Sequence, residues 1–151
     1  MAEPFTIRPM TPADIDAIMA IAAGLPGAPH WPRSSYEAIF APGASPQRIA
    51  IVAQTPGVSG FVIASIIPPH AELESIAVAA EFQRQSLASK LFGSLQASLR
   101  AQNCSQILLE VRQSNHAGLA LYRALGFSQT ARRPNYYSQP VEDAILMSRS
   151  L

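Results

Sequence analysis

The sequence predicts one α/β domain with a mixed sheet, and three observations carry that prediction. Strand-like runs outnumber the helices set between them, which disfavours a doubly wound parallel sheet. One long amphipathic helix separates two such runs and supplies the single β-α-β crossover. No internal repeat, low-complexity tract or linker divides the 151 residues, a length suited to one core that buries roughly two-thirds of the unfolded chain's surface.

Each element has a local reason. Residues 5–8 (FTIR) alternate like a short strand. Thr11-Pro12-Ala13-Asp14 reads as an N-cap, a proline at the first helical position and an acid at the third. Ile15, Ile18, Met19 and Ala22 then share one helical face until Gly24 stops it. Residues 25–33 hold three prolines and form a structured loop. Ser34 or Ser35 caps a short second helix through Tyr36 to Phe40, and APGASP (41–46) breaks the chain again. Residues 48–54 and 58–67, joined at Pro56-Gly57, read as a hairpin, with 72–79 the third strand of a meander.

From about Gln83 to Gln102, Leu87, Leu91, Leu95 and Leu99 fall at i+4 steps with Phe92 alongside, giving the long helix. Residues 106–112 form the next strand, 119–125 a short helix closed by Gly126, and 143–149 the last strand. The order is β-α-α-β-β-β-α-β-α-β-β.

Composition removes several function classes. Charged residues make up 14% of the chain against roughly 25% in ordinary domains, and 48% are hydrophobic, so the chain builds a core. A net charge of +1 without a basic run disfavours nucleic-acid binding. The charge is uneven. Residues 1–75 carry three basic and six acidic groups and residues 76–151 eight and four, so an anionic ligand is drawn to the C-terminal half. Apolar runs are too short to span a bilayer and no signal-like segment opens the chain, so a cytoplasmic protein without membrane contact is expected. The single Cys104 allows no internal disulfide and reads as a small apolar filler near a helix end; His70 and His116 lack metal-ligand spacing, so no metal is assigned.

Several positions admit a chemical and a structural reading. FQRQSLASKL (82–91) is a strand-to-helix junction where unpaired N–H groups, Arg84 and Lys90 suit a pyrophosphate, or where small residues merely pack. Glu110 interrupts an apolar strand, either as an outward carboxylate paired to Arg112 or as a general base. Tyr122 is a core tyrosine or an acid, and Asn115 a turn or helix-cap residue by default. His30-Trp31 and Asn135-Tyr136-Tyr137 are packing, or walls of a groove for a short chain or small amine. Arg132-Arg133 is a solvated pair or a site for an acidic group.

Taken in order, SIAV (75–78), FQRQSLA (82–88), LLEVRQSN (108–115), ALYRALGF (120–127) and RRPNYYSQPVEDAILM (132–147) resemble the GNAT acetyltransferases. Within them the chain is similar to the RimI-type ribosomal-protein alanine N-acetyltransferases, with IRPMTPADI (7–15) and the HW of the loop adding to the likeness. The resemblance implies a GNAT fold, a central mixed and mostly antiparallel twisted sheet flanked by helices. It also implies acetyl-CoA as cosubstrate and a protein N-terminus as acceptor, the alanine of a small-subunit ribosomal protein. Alternatives are a lysine or small-amine acceptor, or a non-catalytic acetyl-CoA-binding module.

Residue by residue, the resemblance places acetyl-CoA along Ile76, Ala77 and Val78, with its pyrophosphate on Arg84, Gln85, Ser86, Leu87, Ala88 and Ser89. Asn115 becomes a cofactor contact, Glu110 the general base and Tyr122 the general acid. His30, Trp31, Tyr136 and Tyr137 flank the acceptor. One position departs from the family's Q/R-x-x-G-x-G/A loop: Ser86 stands where the first glycine is usual.

Overall fold

The computed structural model describes residues 5–83 and 86–151. Its elements are β1 (Thr6–Pro9), α1 (Ile15–Ala23), α2 (Arg33–Ala38), β2 (Gln47–Gln54), β3 (Val58–Ile67), β4 (His70–Val78), α3 (Leu87–Ala101), β5 (Gln106–Arg112), α4 (His116–Ala124), β6 (Ser128–Ser138) and β7 (Val141–Ser150), with short 3-10 turns at Pro12–Asp14 and Ala80–Phe82. The seven strands form one sheet in the order β1-β2-β3-β4-β5-β7-β6, antiparallel everywhere except β4 against β5. The predicted element order and mixed, mostly antiparallel sheet are both present.

Boundaries moved where a local signal was misread. The long helix starts at Leu87 rather than near Gln83, because the 80–82 turn precedes it and Ser86 is left-handed at φ 61°. The second helix runs from Arg33 to Ala38, capped by Pro32 instead of a serine. The short helix begins at His116, three residues early, because Asn115 caps it. The third meander strand starts at His70 instead of 72 and ends at Val78.

Helices cover both faces of the sheet. On one face Leu87, Leu91, Leu95 and Leu99, buried to within 1% of complete, pack with Val62, Ala64, Ile76, Val78 and Ile107. This is the stripe the i+4 repeat announced. Gly60 sets the approach distance, since a Cβ there would stand 3.0 Å from the Ala77 carbonyl and 3.1 Å from Leu91 Cδ1. On the other face α1 and α2 bring Ile15, Ile18, Ala22 and Tyr36 onto Val52, Phe61, Ile63 and Ala77. Cys104 is buried in the first core, as a filler would be.

The turn before α1 is a buried polar node. The amide and hydroxyl of Thr11 donate to Asp14 Oδ2 at 2.8 and 3.2 Å, and Arg8 grips both Asp14 oxygens at 2.8 Å. The Arg8 hydrogen bonds hold the Asp14 carboxyl below the usual range, against the opposing pull of burial. A depressed folded-state pKa contributes stability above the unfolded value of about 3.9 and loses it as pH falls through the folded value. Asp14→Ala is therefore expected to cost about 1–2 kcal/mol at pH 7. In urea titrations the difference from wild type should shrink below about pH 3.9; an equal difference at pH 7 and pH 3 would show that the ionised carboxylate is not what holds the turn.

Candidate active site

The site begins where the sheet comes apart. β4 and β5 pair only at His70, Ala71 and Glu72 against Gln106, Ile107 and Leu108. Beyond them, among the described residues, β4 has no strand partner but β3 and β5 none but β7. Ile76, Ala77 and Val78 consequently turn an unpaired backbone edge toward the opening, a natural partner for an extended amide-bearing chain.

A groove of about 520 Å³ lies over that edge. Ile76–Val78 form its floor, Leu25–Ala28 one wall, and Asn115, Gly118 and Tyr122 the facing wall. Its far end is closed by Phe82, Gln83 and residues 86–89 at the start of α3. Such a volume matches a ligand arm rather than a single side chain. Gln83 donates from Nε2 to the Val78 carbonyl at 3.1 Å, occupying one acceptor of the floor.

The first turn of α3 offers N–H groups without intrahelical partners and the positive helix end. Ser86, Leu87, Ala88 and Ser89 all line the groove there, whereas Arg84 and Gln85 lie outside the described residues. Lys90 extends its ammonium over the Phe5 ring, 5.7 Å from the centroid. Ser86 adopts the conformation for which glycine is suited, φ 61° and ψ 19°. A left-handed L-residue costs about 1–2 kcal/mol, and glycine's extra chain entropy about 0.5–1 kcal/mol. Ser86→Gly is expected to stabilise the protein by up to about 1 kcal/mol in urea unfolding. A net loss would mean that the hydroxyl makes a compensating contact.

Tyr122 stands half-buried in the wall, its ring edge-on to Phe127 at 6.1 Å. Burial, with Tyr137 nearby, pushes its phenol up, so it remains a proton donor at neutral pH. Asn115 accepts the Gly118 amide on Oδ1 at 2.9 Å, capping α4, and donates from Nδ2 to the Gly27 carbonyl at 3.1 Å.

Glu110 is outside the groove lining, on the β5 bank of the opening. Its predicted partner Arg112 is engaged elsewhere, 3.2 Å from Glu142 and stacked over Tyr137 at 4.2 Å. Arg133 of β6 takes that place at 3.8 Å from Glu110, and the hydrogen bond to Glu110 leads the causes that raise the Tyr136 phenol. Desolvation, then the carboxylates of Glu74 and Glu110, push Glu72 up, so three acids gather beside the opening. Arg48 offsets one of them by gripping Glu74 at 2.7 and 3.2 Å.

The aromatic residues divide. Trp31 packs inward on Tyr36 at 5.2 Å with Arg48 6.0 Å from its ring, and His30 Nε2 lies 3.3 Å from the Leu25 carbonyl. Tyr136 and Tyr137 meet edge-on at 5.1 Å on the β6 side, and Arg132 pairs with Asp143 at 3.5 Å. None of these four aromatic-site residues, His30, Trp31, Tyr136 or Tyr137, lines the groove. The Leu25–Ala28 wall was not anticipated; its only sequence signal was the proline spacing of the loop.

The comparisons agree with this geometry. Residues 16–127 match the model of the acetyltransferase (GNAT) family. The [ribosomal protein bS18]-alanine N-acetyltransferase of Salmonella typhimurium is 40% identical over 92 residues, 60% of this chain. That alignment spans 62% of the relative's own length, less than two-thirds. The putative [ribosomal protein bS18]-alanine N-acetyltransferase of Bacillus subtilis is 30% identical over 142 residues, covering 93% of this chain and 92% of that protein. The crystal structure of the ribosomal-protein-S18-alanine N-acetyltransferase from Escherichia coli superposes with a TM-score of 0.79 at 29% identity, over 97% of this chain and 94% of the other. A sheet opened beside β4, a small-residue junction leading into α3, and a family match across 16–127 have one common explanation: this chain belongs to the GNAT acetyltransferase family.

Proposed function

We propose that the protein is an acetyl-CoA-dependent N-acetyltransferase acting on a protein N-terminal α-amine, that of alanine on a small-subunit ribosomal protein. The observation that carries it is the unpaired Ile76–Val78 edge facing Tyr122 across a groove that ends at the α3 N-terminus. The acceptor assignment draws on the activities for which the Salmonella and Bacillus relatives are named. A cytoplasmic setting goes with it; among the described residues no helix is long and apolar enough to cross a membrane.

The residues present fit acetyl-CoA. The β4 edge offers backbone partners to the amides of its arm, and the first turn of α3 offers N–H groups to its pyrophosphate. Bound there, acetyl-CoA supplies the acetyl group as a thioester, so that a carbon–nitrogen bond to the amine forms as the carbon–sulfur bond breaks and CoA leaves as thiolate. A backbone N–H near Val78 holds the carbonyl oxygen as it gains charge. Tyr122 gives its proton to the departing sulfur and recovers one from solvent. Glu110, set back from the groove beside Arg133, takes the amine's proton through an intervening water.

An α-amine suits this machinery. With a pKa of about 7.7–8.0 roughly a tenth is neutral at pH 7, whereas lysine near 10.4 has a few molecules in ten thousand. The test incubates the protein with acetyl-CoA and, separately, an Ala-initiated peptide, an N-blocked lysine peptide and small amines, following product mass. A single acetyl group on the Ala-initiated peptide is expected. Modification of lysine or small amines alone overturns the acceptor, and no product together with a CoA-induced melting shift indicates a binding module instead.

A further inference from the structure

The Asn115 carboxamide spans the groove. Its Oδ1 is fixed to α4 through the Gly118 amide and its Nδ2 to the opposite wall through the Gly27 carbonyl, 88 residues away. Both ends being engaged, the side chain has one orientation. An added carbon on either side would displace the carboxamide: a Cβ at Gly27 would stand 2.9 Å from Oδ1, and one at Gly118 2.6 Å from Nδ2. Beside this contact the turn's hydrogen bonds are local, Ala28 N–H to the Leu25 carbonyl at 3.1 Å, Leu25 N–H to the Ala22 carbonyl at 3.2 Å and His30 Nε2 3.3 Å from the Leu25 oxygen, while Leu25, Ala28 and Trp31 pack on the second core. Past it the loop runs to Trp31, beneath Arg48, whose partner Glu74 belongs to the acid group around Glu110. The turn thus reaches from the wall opposite Tyr122 toward the side where an amine must approach.

We infer that Asn115 is a positioning residue for the acceptor: its Nδ2 donor straps the 25–31 turn to α4 and so preforms the wall against which the incoming chain is oriented. The inference rests on the acetyl-transfer reading above. A preformed wall spares the acceptor the ordering cost of assembling it. Helix capping is a separate duty of the same side chain, carried by the other end of the amide.

Asn115→Asp separates the two. Asp caps as well as Asn, so Gly118 keeps its acceptor, but the donor to Gly27 is lost and an oxygen faces the carbonyl. Gly27→Ala crowds the same carboxamide from the other side, its Cβ falling 2.9 Å from Oδ1 and 3.4 Å from Nδ2, so that Asn115→Asp is the variant that isolates the donor. Each is expected to raise the acceptor KM about five- to tenfold, the loss falling on KM rather than kcat. The double variant should be no worse than the worse single one, because both act through one contact. In protein without substrate, hydrogen exchange across 25–31 should be faster in Asn115→Asp. Additive losses, a rise confined to the acetyl-CoA KM, or unchanged exchange would each overturn the strap. If wild type acetylates no N-terminal peptide, the functional reading fails by itself while exchange still decides whether the strap exists.

Discussion

Tyr122→Phe is expected to lower kcat about a hundredfold, within the usual range for removing a general acid, the role proposed for it, while the KM for acetyl-CoA should move by about twofold or less. The split follows from position. The ring stays in place against Phe127 and keeps its part of the groove wall, so binding surface is conserved and only the hydroxyl is lost. That hydroxyl matters when sulfur acquires charge and not before. Because burial raises its pKa, wild type should show no alkaline decline from this group at or below pH 9. Glu110→Gln should cost less, about tenfold, since the relay proposed for the carboxylate runs through water from outside the groove and Arg133 already competes for it. Steady-state rates on the Ala-initiated peptide check both; activity within about threefold of wild type for the pair removes these roles.

The second large effect is structural. Leu95→Ala is expected to destabilise the protein by about 2–5 kcal/mol, read from urea unfolding with an unchanged slope. Leu95 is completely buried at the centre of α3, where the helix lies on β2, β3 and β4. Its full burial in the core shared with Leu91, Leu99 and the sheet puts the cost within that range. Against a total of about 5–15 kcal/mol, this brings the variant close to unfolding at body temperature. A loss under about 1 kcal/mol would mean that α3 adjusts on the sheet far more freely than its packing implies.

What could be read from the sequence was pattern recorded in the residues themselves. The 106–112 and 58–67 strands match the structure residue for residue: alternation marks the first, buried at every second position, and a long apolar run after the Pro56-Gly57 turn marks the second, buried on both faces. The leucine repeat of α3 likewise named its buried face correctly. Its first turn was misplaced because a left-handed Ser86 and a 3-10 turn carry no period. Spacing along a strand suggested Arg112 for Glu110, but the actual partners come from β6 and β7, across the sheet and far along the chain. The Asn115–Gly27 contact was illegible for the same reason: a capping asparagine and a loop glycine are each ordinary until the fold sets them face to face.

The three-residue seam between β4 and β5 also bears on how the molecule is assembled. It divides the sheet into a block of β1–β4 and a block of β5–β7, carrying opposite net charge in the two halves of the chain. Apart from that seam, the blocks meet in one core, where the leucines of α3, lying across the first, join Ile107, Leu109, Val111 and Met147 of the second. A ligand seated in the opening would act as a mortar joint between them, its loading felt as cohesion of the whole domain.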